Sequence, residues 1–224
     1  MKQLSLPETR AWGGRRLGAG RPRTRAERGV PHVLRPAHSP HHPMHVTLRG
    51  RRGLPSLRLG LFGAVRDAIA KASKDAFRVI HFSVQRDHVH LIVEGADRAR
   101  VIRGIQGLVI RVALAVNRAA QRRGSVWDDR YHARELRSPR EVRNAIAYVL
   151  LNWKKHTREA SVTIDGCSSG AWFDGWRDAV PSTTEASPVV AAHTWLVRVG
   201  WRRHGLLCLD EGPAADPWVV NGRR

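Results

Sequence analysis

The chain has 224 residues and a formal net charge of +20, which is enough length for one substantial domain with appendages. The basic excess is mostly arginine and favours a polyanionic partner, nucleic acid first. No apolar run reaches transmembrane length, which excludes a membrane-spanning protein and leaves a membrane-surface role less favoured. Neither a C-x-x-C pair nor an apolar N-terminal signal core occurs, and the two cysteines, Cys167 and Cys208, are typical of a reducing cytoplasm.

The first segment along the chain is a basic arm. Residues 10–30 are rich in Gly, Pro and Arg and have no hydrophobic period, so we predict a flexible arm over 1–37 that holds nucleic acid electrostatically. Four histidines follow, at positions 38, 41, 42 and 45, but the prolines at 40 and 43 favour a loop leading into a strand over a metal site. The elements predicted next, in chain order, are a strand at 44–49, a helix at 57–73, strands at 77–85 and 88–94, a long helix at 97–123 and a short strand at 133–136.

The last predicted helix has a clear start. Ser138 stands at the N-cap, a proline follows at the first helical position and Glu141 at the third. An apolar stripe from Val142 to Trp153 then forms the buried face. Tyr148 lies outside that stripe, and Asn152 lies one turn further along the same flank. This order of elements predicts an α/β (α+β) fold, with an antiparallel sheet flanked by helices.

Two histidines alternate with apolar residues in the predicted strand at 88–94. Successive side chains of a strand point to opposite faces, so His88 and His90 share one face. Such a pair can hold a divalent metal that keeps open positions for a phosphate oxygen. A tyrosine hydroxyl can attack a phosphodiester and become joined to one side of the break. An Asn carbonyl suits a site for Mg²⁺ or Mn²⁺.

Three ordered motifs resemble those of the single-tyrosine transposases. The strand Asp-His-Val-His-Leu-Ile-Val (87–93) is similar to their histidine-hydrophobic-histidine (HUH) signature. Trp-Asp-Asp-Arg-Tyr-His (127–132) resembles their Trp-x-x-Arg-Tyr-His segment, and Ala-Tyr-Val-Leu-Leu-Asn (147–152) resembles their Tyr-Ile-x-x-Asn-Pro helix. Within that group the chain resembles the REP-associated tyrosine transposases, over roughly residues 40–156.

The resemblance implies a ferredoxin-like HUH endonuclease domain, which we place at 38–160. It implies that Tyr148 is the nucleophile and that His88, His90 and Asn152 are the ligands of Mg²⁺ or Mn²⁺. The implied activity is metal-dependent cleavage and rejoining of single-stranded DNA near hairpin repeats, through a 5′-phosphotyrosine intermediate. The implied partner is single-stranded or hairpin DNA, bound by a monomer or a homodimer in the bacterial cytoplasm, at the nucleoid.

Two positions depart from the family's pattern. Trp153 stands where the family usually has Pro, which predicts a longer and less kinked helix. Asp87 stands where Asn is common, next to the first ligand. Tyr131 is the replacement nucleophile if Tyr148 is not the reacting residue.

Two other functions stay open. A domesticated DNA- or RNA-binding protein would keep the fold without cutting. A two-histidine phosphoesterase acting on RNA ends would need two His-x-Thr/Ser motifs; residues 45–47 supply one, but His90 breaks the second.

Residues 161–224 are rich in Trp, Gly and Ser and show no hydrophobic core of domain size, so we predict an extension that wraps the main domain. Its tryptophans are expected to fix it to the core. The clustered cations and aromatics of the main domain predict a surface that contacts DNA phosphates and bases, made by Arg122, Arg123, Trp127, Arg130, Tyr131, Lys154 and Lys155.

Overall fold

The computed structural model describes residues 38–74, 76–155, 163–181 and 183–212. It confirms the predicted fold class, a four-stranded antiparallel sheet flanked by helices. The predicted arm at 1–37 lies outside the described residues. The strand order is β2-β3-β1-β4, with β1 at Met44–Arg49, β2 at Phe77–Val84, β3 at His88–Gly95 and β4 at His132–Glu135.

Helices lie on both sides of this sheet. The four α-helices are α1 (Phe62–Ala70), α2 (Arg98–Ala119), α3 (Pro139–Leu151) and α4 (Trp195–Arg198). Short 3-10 helices occupy Asn152–Lys155, Ser169–Trp172 and Gly200–His204.

One face of the sheet is largely apolar. Val46, Val89 and Leu91 alternate with polar residues along β1 and β3 and point to this face, where none of them is exposed. The buried sides of α1 and α2 cover the face and complete a single core. At 25 cal/mol per Å² of apolar surface, each of these buried side chains contributes roughly 2 kcal/mol.

The helices α1 and α2 are both shorter than predicted. The helix expected at 57–73 begins only at Phe62, because Gly60 adopts a left-handed conformation with φ of 78° just before it. The helix expected at 97–123 ends at Ala119, because Gln121 has a φ of 48° and interrupts the helical hydrogen bonds. Asp97 is its N-cap, and the Asp97 carboxylate accepts a bond of 2.7 Å from the Arg100 amide.

The opposite face carries the histidines and is covered by α3 together with the C-terminal extension, residues 163–212. Aromatic and apolar side chains of the extension pack with α3 in a second core, which includes Phe173, Trp201 and Leu207. Trp201 is 1% exposed. Because α3 is flanked by the sheet on one side and by the extension on the other, most of its circumference is buried.

Polar contacts attach the extension at several points. The Glu94 carboxylate, 2% exposed at the end of β3, accepts hydrogen bonds from the His193 amide (2.7 Å), the Thr194 amide (3.0 Å) and the Thr194 hydroxyl (2.6 Å). Arg58 donates two bonds to Asp165, at 2.6 and 3.0 Å. These satisfied charges fix the extension at both ends of the β2–β3 strand pair.

Candidate active site

The two histidines of β3 lie together on the sheet face beneath α3. Their ring centroids are 4.7 Å apart, and Val89 between them points into the opposite core, as the alternation predicts. Asp87 Oδ1 lies 2.7 Å from Nδ1 of His88, and Thr47 Oγ1 lies 3.1 Å from Nδ1 of His90. In the tautomer that a metal requires, each Nδ1–H donates to these oxygens and each Nε2 carries the lone pair.

The Asp87 carboxylate is suited to this supporting role. Partial burial alone would raise its pKa, but the hydrogen bond with His88 and the nearby Arg49 hold the pKa of Asp87 below its usual value. The carboxylate is therefore ionised at neutral pH and acts as an acceptor. The departure from the family's common Asn thus places a charged acceptor behind the first predicted ligand.

A third histidine, which we did not predict as part of the site, joins the pair. His45 on β1 is fully buried, and its ring centroid lies 5.3 Å from that of His90 and 5.6 Å from that of Tyr148. Burial, with a smaller contribution from Arg134, lowers the pKa of His45 to about 3, so this imidazole is neutral. The alternation over 45–47 places His45 and Thr47 on one face of β1, and the pairing of Thr47 with His90 in the sheet brings that face to the site.

The nucleophile helix begins as its sequence predicts. The Ser138 hydroxyl accepts from the Glu141 amide at 3.2 Å. Tyr148 then reaches the histidine face, with its ring edge against His90 at 5.0 Å between centroids. The prediction that Tyr148 lies outside the buried stripe is wrong: it is 5% exposed, because its flank of α3 lies against the histidines of β1 and β3.

Asn152 ends α3 and is 2% exposed. The α-helix does not extend through this point, contrary to the expectation from Trp153. It stops at Leu151, and the chain continues as a 3-10 helix over Asn152–Lys155. The change of helix type occurs without proline, and it lies one turn beyond Tyr148.

The two lysines after Asn152 point to different partners. Lys155 Nζ lies 4.5 Å from the centroid of the Tyr148 ring and faces solvent. Lys154 instead donates to the backbone carbonyls of Leu209 and Glu211 in the extension. Only Lys155 of this pair is therefore both exposed and next to the tyrosine.

The site's donor set combines two imidazoles with one amide. The two imidazoles, with supported Nδ1 atoms, are borderline nitrogen ligands for divalent first-row metals such as Mn²⁺, and the buried amide one helical turn from Tyr148 offers a hard oxygen of the kind that Mg²⁺ and Mn²⁺ accept. No group of three or more His, Cys, Asp or Glu with metal-binding geometry occurs within the described residues. Asn152, buried at the end of α3, stays the predicted third ligand.

The remaining predicted DNA contacts lie away from Tyr148, around the end of α2. Arg122 donates to Asn117 at 2.7 Å and to the Ser125 carbonyl at 3.2 Å, while Arg123 is exposed. Trp127 donates from its indole nitrogen to the Val109 carbonyl at 2.9 Å. Arg130 is exposed and Tyr131 packs partly into the apolar core. The structure therefore separates these residues from the histidine face.

Residues 63–150 match the family described as "Transposase IS200 like". The match confirms the resemblance predicted from the motifs, and it spans both predicted histidine ligands and Tyr148. A transposase-like function is the class of activity that the family supports.

Among solved structures, the chain is similar to a REP-associated tyrosine transposase bound to a REP hairpin. The two share 18% sequence identity with a TM-score of 0.47, over 57% of this chain and 74% of that one. No curated protein gives a significant match. No helix among the described residues is both long and apolar enough to cross a membrane.

Proposed function

We propose that this chain is a single-tyrosine HUH transposase, which cuts and rejoins single-stranded DNA through a covalent bond to Tyr148. One observation carries the proposal: the Tyr148 ring lies against His90, on the same sheet face as His88. A phenol next to two imidazoles that are oriented to bind a metal, on a strongly basic chain, matches the requirements of phosphodiester transesterification.

The step balances without an outside energy source. The Tyr148 oxygen loses its proton and bonds to the scissile phosphorus, while the bond from phosphorus to the 3′ oxygen breaks. The leaving 3′ oxygen takes up a proton, and the phosphate stays on the 5′ end as a phosphotyrosine ester. Because one phosphate ester replaces another, the reverse attack by a 3′ hydroxyl rejoins the strand. Lys155, over the tyrosine ring, supplies positive charge next to the reacting phosphate.

His88, His90 and Asn152 are the residues that would hold Mg²⁺ or Mn²⁺. The ion, when bound, supplies Lewis-acid polarisation of the scissile phosphate. Asp87 and Thr47 orient the two imidazoles from behind. Neutral His45 packs against both His90 and Tyr148 and helps to keep the two rings in place.

We propose hairpin DNA with a single-stranded flank as the substrate. A hairpin offers a duplex that arginines and lysines can hold by its phosphates, and a flank that can be cut. The charge of +20 suits this partner. The protein would act as a monomer or a homodimer.

The decisive test is capture of the covalent intermediate. The full chain is incubated with labelled hairpin DNA, drawn from repeats near its own gene, with Mg²⁺ or Mn²⁺, and a denaturing gel is examined for a protein–DNA adduct. We expect an adduct with the natural chain and with Tyr131→Phe, and none with Tyr148→Phe. Loss only in Tyr131→Phe would transfer the nucleophile to that residue. Tight binding without any adduct would instead favour a catalytically silent DNA- or RNA-binding protein.

A further inference from the structure

A groove of about 480 Å³ opens on the other side of the sheet, between α2 and the segment 127–131. This volume is in the range of sites that hold small organic ligands. Leu48, which lines the groove, points away from the histidine face, since its neighbours Thr47 and Arg49 pair with His90 and His88. The groove is therefore separate from the candidate active site.

The lining combines aromatic, apolar and hydrogen-bonding groups with two arginines and one aspartate. Two aromatic side chains stand on one wall, and aliphatic residues and an amide stand on the α2 wall, with Arg98 and Arg130 also contributing. The chief contributors are Ile102, Gln106, Ile110, Trp127, Asp129 and Tyr131. A flat aromatic ligand that carries donors, acceptors and a nearby phosphate matches this set, and a nucleobase in a DNA strand has all of these features.

The aromatic wall is held in place before any ligand binds. The Trp127 indole donates to the Val109 carbonyl at 2.9 Å, which ties it to α2. The Asp128 amide donates to the Arg49 carbonyl at 2.9 Å, and Trp127 bridges to Gly50. A wall attached to both α2 and β1 loses little freedom on binding, which favours affinity.

A single DNA strand can reach both the groove and the histidine face because the edge strand of the sheet is short. β4 is an edge strand of four residues. His132 at its start pairs with Thr47 and so faces the histidine side, while Tyr131, the preceding residue, packs with the opposite core and lines the groove. Consecutive residues of this segment therefore face opposite sides of the sheet.

We propose that the groove binds one unpaired nucleobase from the single-stranded flank of the DNA. This inference rests on the proposed function and adds to it a site at which the identity of the flanking base affects binding. Arg130, which lines the groove and is exposed, contacts a backbone phosphate next to that base.

The test uses two substitutions on α2 that differ only in whether they fill the groove. Ile110 and Leu114 are 60% and 63% exposed and lie one turn apart, but only Ile110 lines the groove. Binding of Ile110→Trp and Leu114→Trp is measured by fluorescence anisotropy without added metal, so that the result does not depend on cleavage. The probes are a hairpin with a single-stranded flank, the same hairpin without a flank, and flanked hairpins with one abasic residue at each flank position.

We expect Ile110→Trp to weaken binding of the flanked hairpin roughly tenfold and to leave the flankless hairpin unchanged. One abasic position should cost the natural chain about the same factor and cost Ile110→Trp nothing further. Leu114→Trp should bind like the natural chain. Equal loss on the flankless hairpin, equal loss in Leu114→Trp, or no sensitive abasic position would overturn the groove proposal. A covalent adduct on Tyr148 would stand in each of those cases.

Discussion

The two faces of the sheet are built from the same strands, yet they differ in what their side chains do. On the α1 and α2 side, Val89 and Leu91 are fully buried among other apolar residues, and their role is packing. On the α3 side, His88 and His90 alternate with them and lie beside Tyr148. Burying imidazoles costs stability unless hydrogen bonds compensate. The comparison indicates that one face holds the domain together while the other accepts that cost in order to carry a reactive site.

The sharpest test of this division exchanges neighbouring residues of β3 for alanine. We expect His90→Ala to lower adduct formation at least a hundredfold, because it removes a proposed metal ligand, while costing only about 1 kcal/mol of unfolding free energy. Leu91→Ala should cost about 3 kcal/mol because it leaves a cavity in the apolar core. Adduct assays and urea unfolding measure the two effects. Equal stability losses would contradict the division between the faces.

The next largest expected effect is the loss of stability when Glu94, which anchors the extension on the histidine side, is replaced. Glu94→Ala would leave two backbone amides and the Thr194 hydroxyl without their buried acceptor, at a cost of about 3 kcal/mol in urea unfolding. Glu185→Ala is the matched control: it removes an exposed ion pair with Arg66 and should cost no more than about 0.5 kcal/mol. Similar losses in both variants would mean that Glu94 is not a structural anchor.

Acid should weaken the histidine side selectively. His81 on β2 is buried against Phe173 of the extension, and burial lowers its pKa to about 4, although Asp174 opposes the shift. The unfolded state takes up a proton near pH 6.5 and the folded state only near pH 4, so stability is present above pH 6.5 and falls as the pH drops through this window. Between pH 7 and pH 4.5 this contribution is roughly 2 kcal/mol.

The variant His81→Gln isolates that contribution. Its free energy of unfolding should fall less between pH 7 and pH 4.5 than that of the natural chain, by about the amount that the histidine contributes. An identical pH dependence in the two proteins would show that His81 does not discriminate between the folded and unfolded states.

The smallest expected effect is the difference between replacing Lys154 and replacing Lys155. Lys155→Ala should reduce the salt dependence of hairpin binding by about one counterion, because Lys155 is exposed beside Tyr148. Lys154→Ala should leave that slope unchanged and lower the Tm, because Lys154 bonds to the carbonyls of Leu209 and Glu211. Anisotropy at several salt concentrations gives the slopes, and the reverse pattern would exchange the two roles.

Local patterns predicted much of the fold. The alternation along 88–94 and the cap at Ser138 depend on neighbours in sequence, so the strand, the start of α3 and the shared face of His88 and His90 agree with the structure. The start of α1 and the end of α2 were predicted less well. Left-handed residues at positions 60 and 121 limit these helices, although the apolar period continues past them. The motif resemblance, now supported over residues 63–150, gave the class of function.

Features that depend on long-range packing were not predictable. Tyr148 is buried because its flank of α3 lies against His45 and His90 of the sheet, and no sequence period reports that contact. His45 joins the site through the register that pairs Thr47 with His90, which requires knowing how β1 and β3 align. Lys154 and Lys155 are identical in sequence terms, and only the path of residues 209–211 distinguishes them. Roles of individual site residues in catalysis stay predictions.

The Glu94 contact also has a consequence for inheritance. Residues 193 and 194 supply the three donors to the Glu94 carboxylate and cover it, so in a chain without them the carboxylate is exposed to water and costs little. A chain that has the extension but an apolar residue at position 94 would instead bury two amides and a hydroxyl without an acceptor. Homologues that have the extension are therefore expected to have an acidic residue at this position, while those that end soon after α3 are free to vary there.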